Sequence, residues 1–348
     1  MAYLDFSIDK AAASCSQRAS SKRSKYPLSG KSRRLSLALQ GGGSLGAFTW
    51  GVLDRLLQEE HIAFDAISGA SAGAMNAVLL ASGLAEGGRE TARVRLERFW
   101  RKISQAGGPG RLVPGGSVLS AAATQTLSPY QFNPFGLNPL KEILAEEADV
   151  DAVRAKEPVR LLLGTTRVND GTLRIFRTDA LTFDVVLASA CLPHLHHAVT
   201  IDGEAYWDGG YAANPPLMPL VMATKASDVL VVQIIPANHA ELPTTSPEIG
   251  KRLSQITFNN SLQKDLQALS IMTKLSQEGG TQTSRLGRKL QRLKLHTVAA
   301  EDYSEGLSGL SFTDTDWPLL LRLRDQGRAA ADAWLLSQSN EQVVAEAD

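Results

Sequence analysis

Ser71 is the residue whose surroundings most clearly predict chemistry. It lies in Gly69-Ala70-Ser71-Ala72-Gly73, a G-x-S-x-G pattern between an apolar run typical of a strand and one typical of a helix. In that setting, small neighbours permit a sharp turn that exposes a serine hydroxyl as a nucleophile. The following helix also directs the positive end of its dipole towards developing negative charge. The alternative is a glycine-bounded turn that merely contains serine, and the strand–turn–helix context favours the nucleophile.

A glycine-rich loop, Gly41-Gly42-Gly43-Ser44-Leu45-Gly46, precedes this serine. Its spacing also matches a dinucleotide fingerprint, which requires an acidic residue at the end of the second strand. Asp65 has the required spacing but lies at the start of that strand, and no G-K-[ST] follows for a phosphate-binding loop. Consecutive glycines let backbone N–H groups approach an oxyanion without steric cost. We therefore predict an oxyanion hole formed by Gly41, Gly42 and Gly43, and acyl transfer as the chemistry.

The proton acceptor for this serine must come from elsewhere in the chain. A Ser-His-Asp triad needs a histidine, and His239, which follows a predicted strand, is the best candidate. Asp208 is the alternative, because it follows the predicted strand Ala205–Trp207 and precedes Gly209-Gly210. A carboxylate buried against aromatic side chains can have a raised pKa and act as a general base. A rival aspartate, in Asp202-Gly203, is already explained by a hairpin turn.

A histidine cluster formed by His194, His196 and His197 raises the question of a metal site. No carboxylate or cysteine completes a known ligand spacing around it. We therefore expect these side chains to line a groove or its rim, and we expect no metal.

Three motifs in this order and spacing resemble the patatin-like phospholipase family: the glycine loop, the G-x-S-x-G turn and Asp208-Gly209-Gly210. The resemblance covers roughly residues 35–240. Beyond the residues already discussed, it rests on the motif glycines Gly46, Gly69, Gly73, Gly209 and Gly210. It implies a Ser-Asp dyad without histidine, no cofactor, and hydrolysis of lipid acyl esters. Carried over, Ser71 is the nucleophile, Asp208 the proton acceptor, and the glycine loop the oxyanion hole.

Leu45 departs from the family pattern, since many members have Arg or Lys at this position. The change removes a cation near the substrate head group and favours neutral or short-chain esters as an alternative to phospholipids. A non-catalytic membrane- or protein-binding module is a contrasting possibility, and the intact motifs argue against it.

The elements that hold these residues are predicted from apolar periodicity. Strands and helices alternate over the first two hundred residues, which predicts an α/β fold with a mostly parallel sheet. The resemblance implies the patatin-like three-layer α/β/α arrangement for residues 35–240, with C-terminal helices. Residues 105–139 are rich in Pro, Gly and aromatic residues, which is typical of a flap over an apolar groove or of a packed excursion. Residues 241–348 are predicted to be a helical extension packed on the same domain.

Composition limits the classes of function and partner. The 348 residues carry 36 Lys and Arg against 36 Asp and Glu, so no overall field predicts nucleic-acid binding. Residues 1–34 form a basic stretch that predicts a flexible tail, either simply solvated or attracted to anionic lipid. Only two cysteines, no apolar run of about 18 residues and no secretory signal predict a cytoplasmic protein that contacts membranes at most peripherally.

Overall fold

A computed structural model describes residues 33–107, 127–238, 242–278, 284–303 and 312–347. Residues 1–32 of the predicted tail at 1–34, residues 108–126 of the predicted flap at 105–139, and His239 therefore lie outside the described residues. The last two residues of the predicted tail, Arg33 and Arg34, instead begin a strand.

A single mixed sheet forms the centre of the described chain, in the order β5-β6-β3-β2-β1-β7-β8, with β4 also paired to β3. The strands are β1 (Arg33–Leu39), β2 (Ile62–Gly69), β3 (Arg160–Arg167), β4 (Leu173–Arg177), β5 (Val199–Ile201), β6 (Glu204–Asp208), β7 (Asp228–Gln233) and β8 (Lys294–Ala299). The pairs β1–β2, β1–β7, β2–β3 and β7–β8 are parallel, whereas β4, β5 and β6 pair antiparallel. The mostly parallel sheet is therefore confirmed.

Helices lie on both faces of this sheet. They are α1 (Gly46–Leu56), α2 (Ala72–Glu86), α3 (Arg89–Gln105), α4 (Pro129–Phe132), α5 (Pro139–Glu147), α6 (Val150–Lys156), α7 (Phe183–Ser189), α8 (Leu217–Ala223), α9 (Ser246–Glu278), α10 (Arg285–Arg292) and α11 (Trp317–Ala347). Short 3-10 turns at Gly43–Leu45 and Gly209–Tyr211 lead out of the two glycine motifs.

Two apolar cores separate the three layers. On one face, alternate β1 residues such as Leu35 and Leu37 pack with apolar residues of α1, α2, α3 and α11. On the other face, Ala38 and Val231 pack with residues of α8, α9 and α10. Because successive strand residues point to opposite faces, one short strand contributes to both cores. The three-layer α/β/α fold is thereby confirmed.

The segment predicted to be a helical extension also contains the strand β8, close to residues 292–298, where the apolar pattern indicates a possible further core strand. β8 pairs in parallel with β7, from Asp228 opposite Lys294 to Gln233 opposite Ala299, and it extends the sheet. The long helices α9 and α11 are the helical part predicted for this segment. The chain after residue 240 thus belongs to the sheet and to both cores.

The helices α1 and α11 touch backbone to backbone. A Cβ at Gly51 would strike the carbonyl oxygen of Arg324, and one at Gly327 would strike that of Phe48. Only glycine fits at such a crossing. A stacked pair of rings, Trp50 and Trp317 with centroids 5.9 Å apart, lies beside the crossing.

Within the described parts of the chain, no helix has the length and apolar character needed to cross a membrane.

Candidate active site

Ser71 lies at a sharp turn between β2 and α2. Its backbone has φ 55° and ψ −130°, a conformation that a non-glycine residue adopts only where its surroundings enforce it. Its N–H donates to the carbonyl oxygen of Ser189 at 2.9 Å and to the Ser189 hydroxyl at 3.2 Å. The Ser189 hydroxyl in turn donates to the carbonyl oxygen of Gly164 in β3, at 2.7 Å. The predicted strand–turn–helix geometry is therefore present, and buried hydrogen bonds hold it.

The motif glycines permit the close approaches that this turn requires. A Cβ at Gly73 would strike the carbonyl oxygen of Leu39, so α2 begins directly against the end of β1. Added Cβ atoms at the other motif glycines would also come too close to neighbouring atoms, at Gly46, Gly69, Gly209 and Gly210. These glycines therefore shape the site without contributing side-chain chemistry.

Asp208 is the last residue of β6, and β6 ends close to the point along β3 at which β2 ends. Asp208 lies opposite Thr165 of β3, and Gly69 lies opposite Leu163 of the same strand. The Asp208 N–H donates to the carbonyl oxygen of Cys191 at 2.8 Å, and the Thr166 hydroxyl donates to the Asp208 carbonyl oxygen at 2.7 Å. The sheet therefore brings a residue far along the chain to the serine turn.

The Asp208 carboxylate is fully buried and only partly satisfied by hydrogen bonds. Its Oδ1 accepts from the N–H of Gly210 at 2.7 Å, whereas Oδ2 has no hydrogen-bond partner among the described residues. Burial raises the pKa of Asp208 to about 7, against smaller lowering effects of the Gly210 N–H and the Ser71 side chain. Ser71 is thus close enough to favour the charged form, although the two side chains form no hydrogen bond here. Such contacts often shorten only when substrate is bound.

Gly41 differs from the other glycines of the predicted oxyanion hole. Its N–H donates to Oδ1 of Asn214 at 2.7 Å, and its carbonyl oxygen accepts from Nδ2 of Asn214 at 2.9 Å. Because the Gly41 N–H is already bound, it is not available to an oxyanion, and that part of the prediction is corrected. A Cβ at Gly41 would lie 2.5 Å from the Ser71 Cβ, so Gly41 packs against the serine turn.

Gly42 and Gly43 retain the arrangement expected of oxyanion donors. Within the described residues neither N–H has a hydrogen-bond partner, and both glycines line a pocket that also contains Ser71. Gly43 has φ 56°, and a Cβ there would strike the carbonyl oxygen of Phe312. The same carbonyl oxygen accepts from the N–H of Ser44 at 2.9 Å. A segment from beyond β8 therefore packs against the glycine loop.

Two pockets meet at Ser71 and Gly43. The narrow pocket, with a cavity volume of about 90 Å³, is mainly apolar and lies among α2, α3 and α5; its lining includes Met75, Phe99, Trp100, Ile103, Leu140 and Leu192. The wide pocket, of about 590 Å³, extends towards α9 and carries charged groups; its lining includes His194, Tyr211, Lys251, Phe258, Phe312 and Asp314. An ester whose carbonyl carbon lies at Ser71 can therefore extend in two chemically different directions.

Two of the three clustered histidines line pockets. His194 lines the wide pocket and His196 the narrow one. Burial lowers the pKa of His196 to about 4. The His197 ring stacks on Tyr130 with centroids 4.2 Å apart, which fixes the residues before α5 against this loop. Among the described residues, no group of His, Cys, Asp or Glu side chains is arranged to hold a metal ion.

Cys191 is the other side chain near Asp208 with nucleophilic potential. Burial, reinforced by the Asp208 charge, raises the pKa of its thiol to about 12, and its Sγ donates to the carbonyl oxygen of His197 at 3.0 Å. Because the thiolate is the reactive form, Cys191 is not a competing nucleophile.

Leu45 does not line either pocket. Its side chain is 1% exposed and belongs to the apolar core on the α1 face of the sheet. Its identity therefore removes no visible contact from the substrate pockets, and the substrate inference drawn from this position loses its structural basis.

The residues that hold the site in place lie outside the three sequence motifs. Asn214, fully buried, also donates from Nδ2 to the carbonyl oxygen of Phe258 in α9, at 3.0 Å. Gln40 accepts from the N–H groups of Ile234 and Ile235, both at 2.8 Å, and so ties the glycine loop to the end of β7. Gln40 directly precedes the glycine loop, and this position was an available signal, whereas Asn214 approaches Gly41 only through the fold.

Comparison with known proteins links this geometry to a family. A family model described as Patatin-like phospholipase matches residues 37–221. No curated protein matches the chain significantly. Among solved structures, VipD from Legionella pneumophila is similar, with 17% identity over 87% of this chain and 66% of that chain, and a TM-score of 0.42. The type III effector ExoU shows 15% identity over 89% of this chain and 54% of that chain, with a TM-score of 0.38. The chain therefore spans less than two thirds of these two proteins.

Proposed function

The chain belongs to the patatin-like phospholipase family, and on that basis we propose that it is a lipid acyl hydrolase with a catalytic dyad of Ser71 and Asp208. The observation that carries the proposal is the Asp208 carboxylate: it is fully buried beside the serine turn, with one oxygen lacking a partner among the described residues. A carboxyl group with a pKa of about 7 can accept a proton from serine and return it near neutral pH.

The reaction proceeds in two acyl transfers. Asp208 accepts the Ser71 hydroxyl proton as the serine oxygen attacks the acyl carbonyl, and the N–H groups of Gly42 and Gly43 stabilise the resulting oxyanion. Collapse of the tetrahedral intermediate breaks the ester bond, and Asp208 returns the proton to the departing alcohol. Asp208 then accepts a proton from the water that attacks the acyl-enzyme. It passes this proton to the Ser71 oxygen as the second tetrahedral intermediate collapses and releases the fatty acid.

Substitution of the two dyad residues tests this proposal. Ser71→Ala is expected to lower kcat/KM on p-nitrophenyl acyl esters by at least about 10³-fold, because no nucleophile remains. Asp208→Asn should cause a comparable loss, because the amide cannot accept the serine proton. Wild-type activity should rise with pH through about 7 as Asp208 ionises.

His239→Ala is the matched control, because His239 is the histidine that a triad would use. This variant should retain wild-type kcat/KM. Loss of activity in His239→Ala with retention in Asp208→Asn would replace the dyad by a triad. Retained hydrolysis in correctly folded Ser71→Ala would refute the hydrolase mechanism itself.

A further inference from the structure

Lys251 brings a positive charge to the wide pocket. It lies on α9 with Pro247, Ser254 and Phe258, the other residues of this helix that line the pocket. The spacing of these four residues places them on one face of the helix. Lys251 is half-buried, and no carboxylate in the described part of the chain forms an ion pair with its amine.

The surroundings of Lys251 favour an incoming anion. Burial lowers the pKa of its amine, which means that the ammonium ion has lost part of its hydration, and the Asp314 carboxylate partly offsets this effect. A partly desolvated ammonium ion gains more from a phosphate group than a fully solvated one does.

The pocket arrangement decides which part of a substrate reaches this lysine. Both pockets contain Ser71 and Gly43, so the scissile carbonyl must lie where they meet. The narrow pocket is lined by apolar side chains such as Met75 and Phe99, and it suits the acyl chain. The alcohol part of the ester is then directed into the wide pocket, towards Lys251.

We propose that Lys251 determines head-group specificity by binding the phosphate of a glycerophospholipid in the wide pocket. This inference rests on the proposed function of Ser71. Leu45 is buried in the core and provides no positive charge to the substrate, whereas Lys251 provides one from α9. Asp314 lines the same pocket and competes with the phosphate for the ammonium ion.

Matched lipids test the proposal. The measurement is kcat/KM on phosphatidylcholine and on diacylglycerol with identical acyl chains, both in neutral detergent micelles. In Lys251→Met, the phosphatidylcholine-to-diacylglycerol ratio of kcat/KM should fall about ten-fold or more, because a charge-assisted contact to phosphate is lost. Lys251→Arg should restore most of the ratio, and Asp314→Asn, which removes the competing carboxylate, should raise it.

Lys274→Met is the control for charge, since Lys274 is an exposed lysine of the same helix and lines neither pocket. It should leave both kcat/KM values unchanged. Glycerophosphocholine should inhibit the wild type more strongly than inorganic phosphate does; the reverse would identify a free-phosphate site and overturn the head-group assignment.

An unchanged ratio in Lys251→Met would overturn the proposal, and so would an equal fall for both lipids, which would indicate general support of the site. A fall of the ratio in Asp314→Asn would also contradict it. None of these results would affect the hydrolase assignment, which fails only if Ser71→Ala retains activity.

Discussion

Asp208, which is fully buried, and Asp228, which is partly buried, are two aspartates of one sheet with opposite electrostatic surroundings. At the amino end of β7, Asp228 forms an ion pair with Arg33 at 2.5 Å and a hydrogen bond with Nε2 of His296 at 2.9 Å. Burial acts to raise the pKa of Asp228, but hydrogen bonds from His296 and Arg33 outweigh it and hold this pKa below its usual range. Asp208, at the other end of the sheet, has no cationic partner among the residues that the structure describes, and burial raises its pKa to about 7.

The difference shows how one fold separates stability from reactivity. Where a buried carboxylate is paired, its charged form is stabilised and it supports folding. Where it is left without a cation, its charged form costs free energy, and that cost makes it a useful base near neutral pH.

Asp208→Asn is expected to stabilise the folded protein while abolishing activity. The folded-state pKa of about 7 exceeds the ordinary value of 3.8, so ionisation of Asp208 destabilises the wild type as pH rises through this range. The variant does not lose this stability, so above pH 7 its free energy of unfolding should exceed that of the wild type by up to about 4 kcal/mol. Thermal melting across pH 4 to 8 checks the prediction. The difference should disappear near pH 4, and a variant less stable than wild type at pH 8 would contradict it.

Asn214→Ala should lower kcat by about 10²-fold with little change in KM. Asn214 binds both backbone groups of Gly41, so its loss lets the neighbouring Gly42 and Gly43 N–H groups move from the oxyanion position. Loss of one well-placed donor typically costs about 3 kcal/mol of transition-state stabilisation. Steady-state kinetics on p-nitrophenyl esters measure the separate effects on kcat and KM.

The control for this variant is Ser261→Ala. The Ser261 hydroxyl accepts only the backbone N–H of Asn214, at 3.0 Å, and does not hold the Asn214 amide. Ser261→Ala should therefore keep kcat close to wild type. A fall in kcat as large as that of Asn214→Ala would show that the amide contacts to Gly41 are not what matters.

Asp228→Asn should destabilise the protein, the opposite of Asp208→Asn, and leave kcat unchanged. It removes the negative partner of Arg33 and His296, which costs about 2 kcal/mol at neutral pH. Because a lowered pKa adds stability only above the ordinary value, the gap to wild type should close as pH falls below about 4.

Urea unfolding at pH 7 and pH 3.5 measures the effect of Asp228→Asn. Asp170→Asn serves as the exposed counterpart, since Asp170 pairs with Arg167 on the surface, where ion pairs contribute little. If the two variants lost equal stability, burial of the Asp228 pair would not be the cause.

The local geometry of the site was easier to predict from the sequence than the distant residues that hold it in place. The turn at Ser71 was predictable because a strand, small residues and a helix are adjacent in the chain, and local geometry follows from local sequence. The β5–β6 hairpin was predictable for the same reason: Asp202 and Gly203 both have positive φ, as its tight turn requires.

The long-range hydrogen-bond partners of the site were not predictable from the sequence pattern. Asn214 holds Gly41 across the fold, and Ser189 holds the Ser71 N–H, yet neither contact leaves a periodic signal. Leu45 shows a different limit, since the family pattern marks this position as a departure, but only the structure shows that its side chain packs in the core. The direction of a side chain depends on its packing, and the position of a residue in a motif does not determine that packing.

The contact of Phe312 with the glycine loop has a consequence for synthesis on the ribosome. Ser71, Asp208 and the glycine loop all emerge well before Phe312, whose carbonyl oxygen binds the Ser44 N–H, and before α11, which packs on α1. A nascent chain therefore carries every proposed reacting group before the parts that hold the glycine loop in place. We expect hydrolysis to begin only after these later residues have folded, so that unfinished chains leave the lipids around them intact.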